Sequence, residues 1–316
     1  MQLMSDALAV TGSRHGVIFE PLQRRCRLIR FSRFDEAPEF GIRAGLKIGR
    51  REIILPLAVA DGAEDFTFLD QRTGPATWTL KGLDAASGLI LTLQVTCPFR
   101  PGDANFSTAP VLLFDLSVRR LTGQFRWTKV PATPVRAEVF LEITGGPFRQ
   151  ESRSGGLELA FDAIRTERHL DSAEPQKQHR SAVPQRDRLT SVRGRLTGRR
   201  FRQVIPMANA GATSLRVAWS TWSEPVLTLH GEPSPFRYTR NFSSLASVSR
   251  WAAVHAGEIL REAEKLSRKA AAPAGGAAMD HLLAYTLHSW MLNTWWTLRP
   301  DGRDWFSVWE GNCYFH

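Results

Sequence analysis

Short runs of alternating apolar and polar residues dominate the first two-thirds of the chain. The clearest runs are Leu89–Cys97, Leu112–Arg119, Arg136–Ile143, Leu157–Phe161 and Leu215–Trp219. A period of two buries one face of a strand and leaves the other face in water. Turn-forming Gly and Pro residues separate the runs, and no helical period lies between them. The pattern therefore predicts an antiparallel β-sandwich over residues 1–240 rather than an α/β fold.

The pattern changes near Phe242, where apolar residues begin to recur every three or four positions. Ser243 or Ser244 is a good N-cap. The following stripe predicts one face of a helix of about seven turns; its members are Leu245, Val248, Ala252, His255, Ile259, Ala263 and Leu266. After Pro273 breaks the chain, a second helix is predicted from Met279 to Leu298. This helix is apolar nearly all round, so it is expected to have neighbours on most sides.

One stretch carries much of the positive charge. The formal net charge of the chain is +10, and residues 165–202 hold eleven Lys or Arg against four Asp or Glu. We interpret this stretch as a solvated basic insertion between strands, because charge-rich segments with few large apolar residues usually lie in water. A nucleic-acid contact is the alternative, but no aromatic interleaving or recognition motif accompanies the charge.

The remaining composition narrows the classes of function. The three cysteines are far apart and form neither a metal-binding spacing nor a disulfide framework. The N-terminus lacks a basic start followed by an apolar stretch, and no apolar run could cross a membrane. We therefore expect a cytoplasmic protein with no membrane partner. The sequence contains no Gly-rich phosphate loop and no Cys/His metal cluster, so we expect no cofactor.

Three ordered segments in the last third resemble a known group of enzymes. They are Tyr238–Phe242, His288–Thr294, which contains Asn293, and Trp305–His316, in which Glu310 is followed by Gly311. Their order and spacing are similar to those of glycoside hydrolase families 52 and 116, where a carboxylate followed by Gly ends an apolar stretch. The resemblance depends on the order and spacing of the three segments.

The resemblance implies a fold and a site. It implies a β-sandwich domain (1–240), a helical linker (241–277) and the first helices of an (α/α)6 barrel (278–316), an α+β chain that is mainly β. It implies a retaining β-glycosidase acting on a β-xyloside, β-glucoside or oligosaccharide, with Glu310 as the nucleophile. Trp305, Trp309 and Tyr314 would stack on sugar rings, and Asn293 would hold a hydroxyl. No cofactor or metal is implied.

The second carboxyl group that such a reaction needs is missing from the matched motifs. In these families the general acid is an Asp of later barrel helices, and no position of this chain corresponds to it. We therefore expect a truncated portion of an enzyme, inactive alone, whose partner is the missing C-terminal barrel. A non-catalytic carbohydrate-binding or assembly protein is the alternative, and a basic nucleic-acid-associated protein is a less favoured one.

Overall fold

Two antiparallel sheets form most of the protein. A computed structural model describes residues 7–29, 38–121, 136–146, 149–153, 156–166, 180–206, 213–225, 227–229, 232–270 and 276–308. Its strands are β1 (Ala7–Val10), β2 (Gly16–Glu20), β3 (Arg25–Ile29), β4 (Glu39–Ile48), β5 (Arg51–Ile54), β6 (Glu64–Asp65), β7 (Phe68–Gly74), β8 (Thr77–Asp84), β9 (Leu89–Thr96), β10 (Val111–Arg120), β11 (Arg136–Thr144), β12 (Arg149–Arg153), β13 (Gly156–Thr166), β14 (Arg180–Arg193), β15 (Arg195–Thr197), β16 (Arg200–Pro206), β17 (Thr213–Ser223), β18 (Leu227–Leu229), β19 (Glu232–Ser234), β20 (Thr294–Leu298) and β21 (Asp304–Val308). Its helices are α1 (Ala104–Ser107), α2 (Leu245–Ala270) and α3 (Gly276–Asn293), with a 3-10 turn at Arg237–Arg240.

The strand order gives a sandwich. The first sheet runs β1-β2-β3-β4-β11-β16-β15, with β5 beside β4 and β6 beside β5. The second sheet runs β12-β13-β14-β17-β10-β9-β8-β7. All of these pairings are antiparallel except β5 with β6. The predicted mainly-β class, with helices after the sheets, is confirmed.

The core lies between the two sheets and follows the alternation in the sequence. Leu91, Leu93 and Val95 of β9 face the same buried cluster as Phe114 and Leu116 of β10. Another large pair bridges the sheets, since the rings of Phe19 and Trp78 stack with centroids 3.9 Å apart. Because each of these side chains is almost wholly removed from water, each contributes on the order of 2 kcal/mol of hydrophobic stabilisation.

Helix α2 covers the outer face of the second sheet. Its buried residues include Val248, Ala252, Ile259 and Ala263, which are members of the predicted stripe. Val248, Ala252 and Ile259 pack with outward-facing residues of the sheet such as Leu113. This second buried layer explains why β10 is apolar on both faces. The helix begins as predicted, where the backbone N–H of Ser247 donates to the Oγ of Ser244 (3.3 Å).

Helix α3 ends earlier than the sequence predicts. It stops at Asn293 instead of Leu298, and the chain continues directly as β20 of a hairpin. In the last turn, the side chains of Asn293 and Thr294 donate to the carbonyls of Ser289 (3.0 Å) and Trp290 (2.8 Å). These bonds satisfy carbonyls that otherwise have no partner at a helix end, while β21 supplies the hydrogen-bonding partners of β20.

No helix in the described ranges is long and apolar enough to cross a membrane.

The basic stretch 165–202 is not a solvated insertion, and that prediction is wrong for the residues that the structure describes. Strand β14 lies between β13 and β17, inside the second sheet, and β15 and β16 extend the first. The arginines pair with acids of neighbouring strands: Arg188 with Glu158, Arg200 with Glu142 (3.1 Å) and Arg202 with Glu138 (3.5 Å). Cross-strand pairing of opposite charges lets such strands form despite their composition. Residues 167–179 lie outside the described residues.

Candidate functional site

The hairpin β20–β21 carries the predicted site residues that can be placed. Asn293 directly precedes β20, and Trp305 lies in β21 opposite Thr297. The register also pairs Thr294 with Val308, so the open end of the hairpin lies beside Asn293. The other three predicted site residues, Trp309, Glu310 and Tyr314, lie outside the described residues.

The closed end of the hairpin is a short polar turn. The backbone N–H of Arg299 donates to the carbonyl of Arg303 (2.8 Å), and Gly302 takes a positive φ of 79°. Hydrogen bonds from the Arg303 side chain and backbone lower the pKa of Asp301 to about 2. Asp301 therefore acts as a turn carboxylate held by its neighbour.

An aromatic cluster surrounds the hairpin. Trp295 is buried and stacks on Phe236, with ring centroids 5.9 Å apart. Trp296 lies edge-on to Phe306 at 5.4 Å. Trp305 is half-buried, and the guanidinium of Arg299 lies 5.7 Å from the centre of its ring. One side of Trp305 is thus occupied by a cation, which leaves at most its other side for stacking on a sugar.

A loop of the first sheet contributes a cation to the same cluster. Arg14 lies in the turn between β1 and β2, which is closed by a hydrogen bond from the Thr11 N–H to the His15 carbonyl (2.8 Å). Arg14 adopts a φ of 58°, which residues other than Gly and Asn rarely take. This backbone turn holds its guanidinium 4.1 Å from the centre of the Trp295 ring.

Two arginines of the 3-10 turn bind a carboxylate of the hairpin. The Nε of Arg237 donates to Asp304 (3.0 Å), and Arg240 lies 2.9 Å from the other carboxylate oxygen. Arg237 is buried, and it also donates to the Oδ1 of Asn105 in α1 (2.7 Å). A buried guanidinium with two hydrogen-bonded partners fixes three separate elements relative to one another. Asp304 is thus committed to a structural ion pair.

Strand β14 of the second sheet contains a buried carboxylate. Asp187 is fully buried and accepts from Trp219 Nε1 (2.8 Å) and from Thr221 Oγ1 (2.5 Å). At the end of the neighbouring strand β17, the backbone N–H of Ser223 donates to the hydroxyl of Tyr238 (3.0 Å). Tyr238 belongs to the first of the three segments that carry the resemblance. Its role in the fold is to join the 3-10 turn to β17.

The hairpin and the 3-10 turn lie in a stretch of the chain that is similar to a known family. The model of glycosyl hydrolase family 52 matches residues 197–315. This stretch of the chain is similar to the glycoside hydrolases of family 52. The matched stretch of family 52 runs from the end of β15 through the hairpin, and it includes all five predicted site residues although it covers fewer than half of the 316 residues. No curated protein matches the chain.

The match confirms the predicted likeness to family 52, while the likeness to family 116 stays a prediction. The roles of Asn293, Trp305, Trp309, Glu310 and Tyr314 also stay predictions. Sequence reasoning missed the hairpin, the cation of Arg14 over Trp295 and the ion pairs of Asp304. The Trp pair at 295 and 296 was the available signal, since bulky aromatic residues favour strands as much as helices. Among the described residues, no group of three His, Cys, Asp or Glu could hold a metal ion.

Proposed function

We propose that this chain is the part of a retaining β-glycosidase that carries the nucleophile, Glu310. The match of residues 197–315 to glycosyl hydrolase family 52 carries the proposal. The substrate would be a β-linked xyloside or glucoside. The division into a sandwich, a linker and the start of an (α/α)6 barrel, and the cytoplasmic location, belong to the same proposal.

The hairpin supports the role given to Asn293. Val308 pairs with Thr294, so the chain leaves β21 beside Asn293, and Glu310 follows two residues later. Two residues of extended chain reach at most about 7 Å. The Asn293 Nδ2 donates to the Ser289 carbonyl at 3.0 Å, which leaves its Oδ1 to accept a hydrogen bond from a sugar hydroxyl.

The charges near the hairpin support an ionised nucleophile. Arg14 lies over Trp295, and Arg237 lies with its guanidinium 5.1 Å from the centre of the Trp296 ring. Cations close to a carboxylate favour its charged form, which is the form that attacks an anomeric carbon.

The structure also supports a helical partner that would bring the general acid. Helix α3 packs on the sandwich with one side, where Met291 and Leu292 are buried. Its opposite side leaves large apolar residues 38–56% exposed: Met279, Leu282, Leu283, Tyr285 and Trp290. Contiguous apolar surface of this kind usually contacts other protein. We propose that further helices cover it and place a carboxylic acid about 5–5.5 Å from Glu310, the spacing of a retaining site.

Covalent trapping tests the nucleophile directly. In a dinitrophenyl 2-fluoro-β-xyloside, the leaving group departs as a phenolate and needs no proton from an acid. The Glu310 carboxylate would form an ester bond to the anomeric carbon as the bond to the phenolate breaks. Mass spectrometry should find the fluoroxylosyl group on the peptide that contains Glu310. Labelling of another carboxylate, or equal labelling of a Glu310→Gln variant, would refute the assignment.

Turnover of ordinary substrates tests the missing acid. With an aryl β-xyloside or β-glucoside whose leaving group must be protonated, the chain alone should show no hydrolysis. Hydrolysis by this chain that disappears in Glu310→Gln would show that the acid is present after all. Saturable sugar binding with neither labelling nor hydrolysis would favour the alternative of a non-catalytic carbohydrate-binding protein.

A further inference from the structure

A cavity separate from the hairpin lies on the outer face of the second sheet. It has a volume of about 390 Å³ and lies between strands β13, β14 and β17 and the start of helix α2. This volume falls in the range of small-molecule sites in proteins, roughly 300–1,000 Å³. Its lining is Glu158, Pro184, Arg186, Arg188, Trp222, Glu224 and residues 243–246. None of these was among the predicted site residues.

The sheet register builds the floor of this cavity from cross-strand neighbours. Arg186 of β14 lies opposite Trp222 of β17. Arg188 lies opposite Glu158 of β13 and forms an ion pair with it. An indole beside planar charged groups offers an apolar face together with hydrogen-bonding edges, which is the combination that a pyranose ring requires.

The charges of the lining select against ions. The lining contains two arginines and two glutamates. Among these four residues, all of them described, only Arg188 and Glu158 form an ion pair with each other. The other two charged residues of the lining, Arg186 and Glu224, are exposed and carry opposite charges. An ion of either charge is attracted by one of them and repelled by the other, whereas neutral hydroxyl groups can donate to Glu224 and accept from Arg186.

A continuous series of aromatic contacts connects the cavity with the hairpin. Trp222 lies edge-on to Tyr238 (5.5 Å), Tyr238 stacks on Phe236 (5.8 Å), and Phe236 stacks on Trp295 (5.9 Å). The cavity is therefore anchored to the same rigid cluster that holds β20. A ligand in it occupies a fixed position relative to the hairpin without touching it.

We propose that this cavity is a second carbohydrate-binding site, which takes a neutral pyranose unit of a β-linked glycoside. The sugar ring stacks on Trp222, and its hydroxyls bond to Arg186, Glu224 and the serines at the start of α2. The choice of a glycoside as the ligand rests on the proposed function. The site itself does not depend on Glu310.

Calorimetric titration with xylobiose and cellobiose tests the site. Trp222→Ala should remove the binding that persists in Glu310→Gln, and Arg186→Met should weaken it about tenfold, the effect of losing one charged hydrogen bond. Arg186 is exposed, so its variant should keep the wild-type melting temperature even if Trp222→Ala unfolds the protein. Trp290→Ala, an exposed Trp on α3, is the matched control and should bind like the wild type.

Several other results would contradict the cavity site, its ligand class or the proposed nucleophile. Unchanged affinity in Arg186→Met, an equal loss in Trp290→Ala, or loss of all sugar binding in Glu310→Gln would overturn it. Tighter binding of glucuronic acid than of xylobiose would overturn the neutral ligand class. Failure of covalent trapping at Glu310 while Arg186→Met weakens sugar binding would refute the proposed nucleophile and leave the cavity site standing.

Discussion

His288 should make the stability of this protein sensitive to mild acid. It is fully buried where α3 meets both sheets. Its Nδ1 accepts a hydrogen bond from the backbone N–H of Val10 in β1 (3.3 Å), and its Nε2 lies 3.0 Å from the carbonyl of Gly74 in β7. Both bonds form at once only when the imidazole is neutral and carries its proton on Nε2.

Burial is the main cause of an acidic pKa at His288. Desolvation lowers the pKa from 6.5 to about 4, although the bond to the Gly74 carbonyl acts in the opposite direction. Between about pH 6.5 and pH 4, His288 therefore binds a proton in the unfolded chain but not in the folded protein. The contribution of His288 to the free energy of unfolding is complete above pH 6.5. It falls as the pH decreases to about 4, where the imidazole of the folded protein is also protonated. The loss is about 2 kcal/mol at pH 5 and roughly 3.4 kcal/mol once both states are protonated.

Urea unfolding at pH 7 and pH 5 measures this loss. His288→Gln cannot titrate, so it should lose about 2 kcal/mol less between the two pH values than the wild type does. At pH 7 the variant should already be destabilised by about 1–3 kcal/mol, because at least one backbone group loses its partner. His281→Gln on the same helix is the control and should keep the wild-type pH dependence.

Two results would contradict the role of His288. Equal losses in the wild type and in His288→Gln would show that this imidazole does not couple folding to protonation. An NMR titration that gives the imidazole of His288 a pKa above 6 would show that it is hydrated, contrary to the structure.

Three further perturbations test the packing. Tyr238→Phe removes the acceptor of the Ser223 N–H, so urea unfolding should show a loss of about 1–3 kcal/mol; a loss near zero would mean that water replaces the hydroxyl. Ile259→Ala, on the buried side of α2, should cost about 2–5 kcal/mol, whereas Val254→Ala, 75% exposed, should stay within about 0.5 kcal/mol. Burial raises the pKa of the Cys97 thiol, so iodoacetamide should label it only after unfolding; rapid labelling of the native protein would refute its burial.

The strands and the first long helix could be read from local patterns. The alternation in Leu89–Cys97 and Leu112–Arg119 matches β9 and β10, because a half-buried strand imposes a period of two on its own sequence. The stripe that begins at Leu245 matches the buried side of α2 for the corresponding reason. The likeness to family 52 was visible too, since short ordered motifs are a property of sequence.

The errors concern places where distant residues decide the local structure. The stretch 165–202 looked like a solvated segment because its charges were visible and their partners were not. Glu142 and Glu158 meet those arginines only after the strands have paired. The second helix was extended through Trp295 and Trp296 because an apolar run fits a helix and a buried strand equally well.

The sequence alone therefore determined which residues avoid water and, through its motifs, which family the last third resembles. Only the tertiary structure decided that α3 ends at Asn293 and that a hairpin holds Trp305 beside Arg299. The same holds for the cavity beside Trp222, whose lining comes from β13, β14, β17 and α2. Periodicity reports how each segment divides between protein and water. Which segments meet depends on contacts between residues that are far apart in the chain.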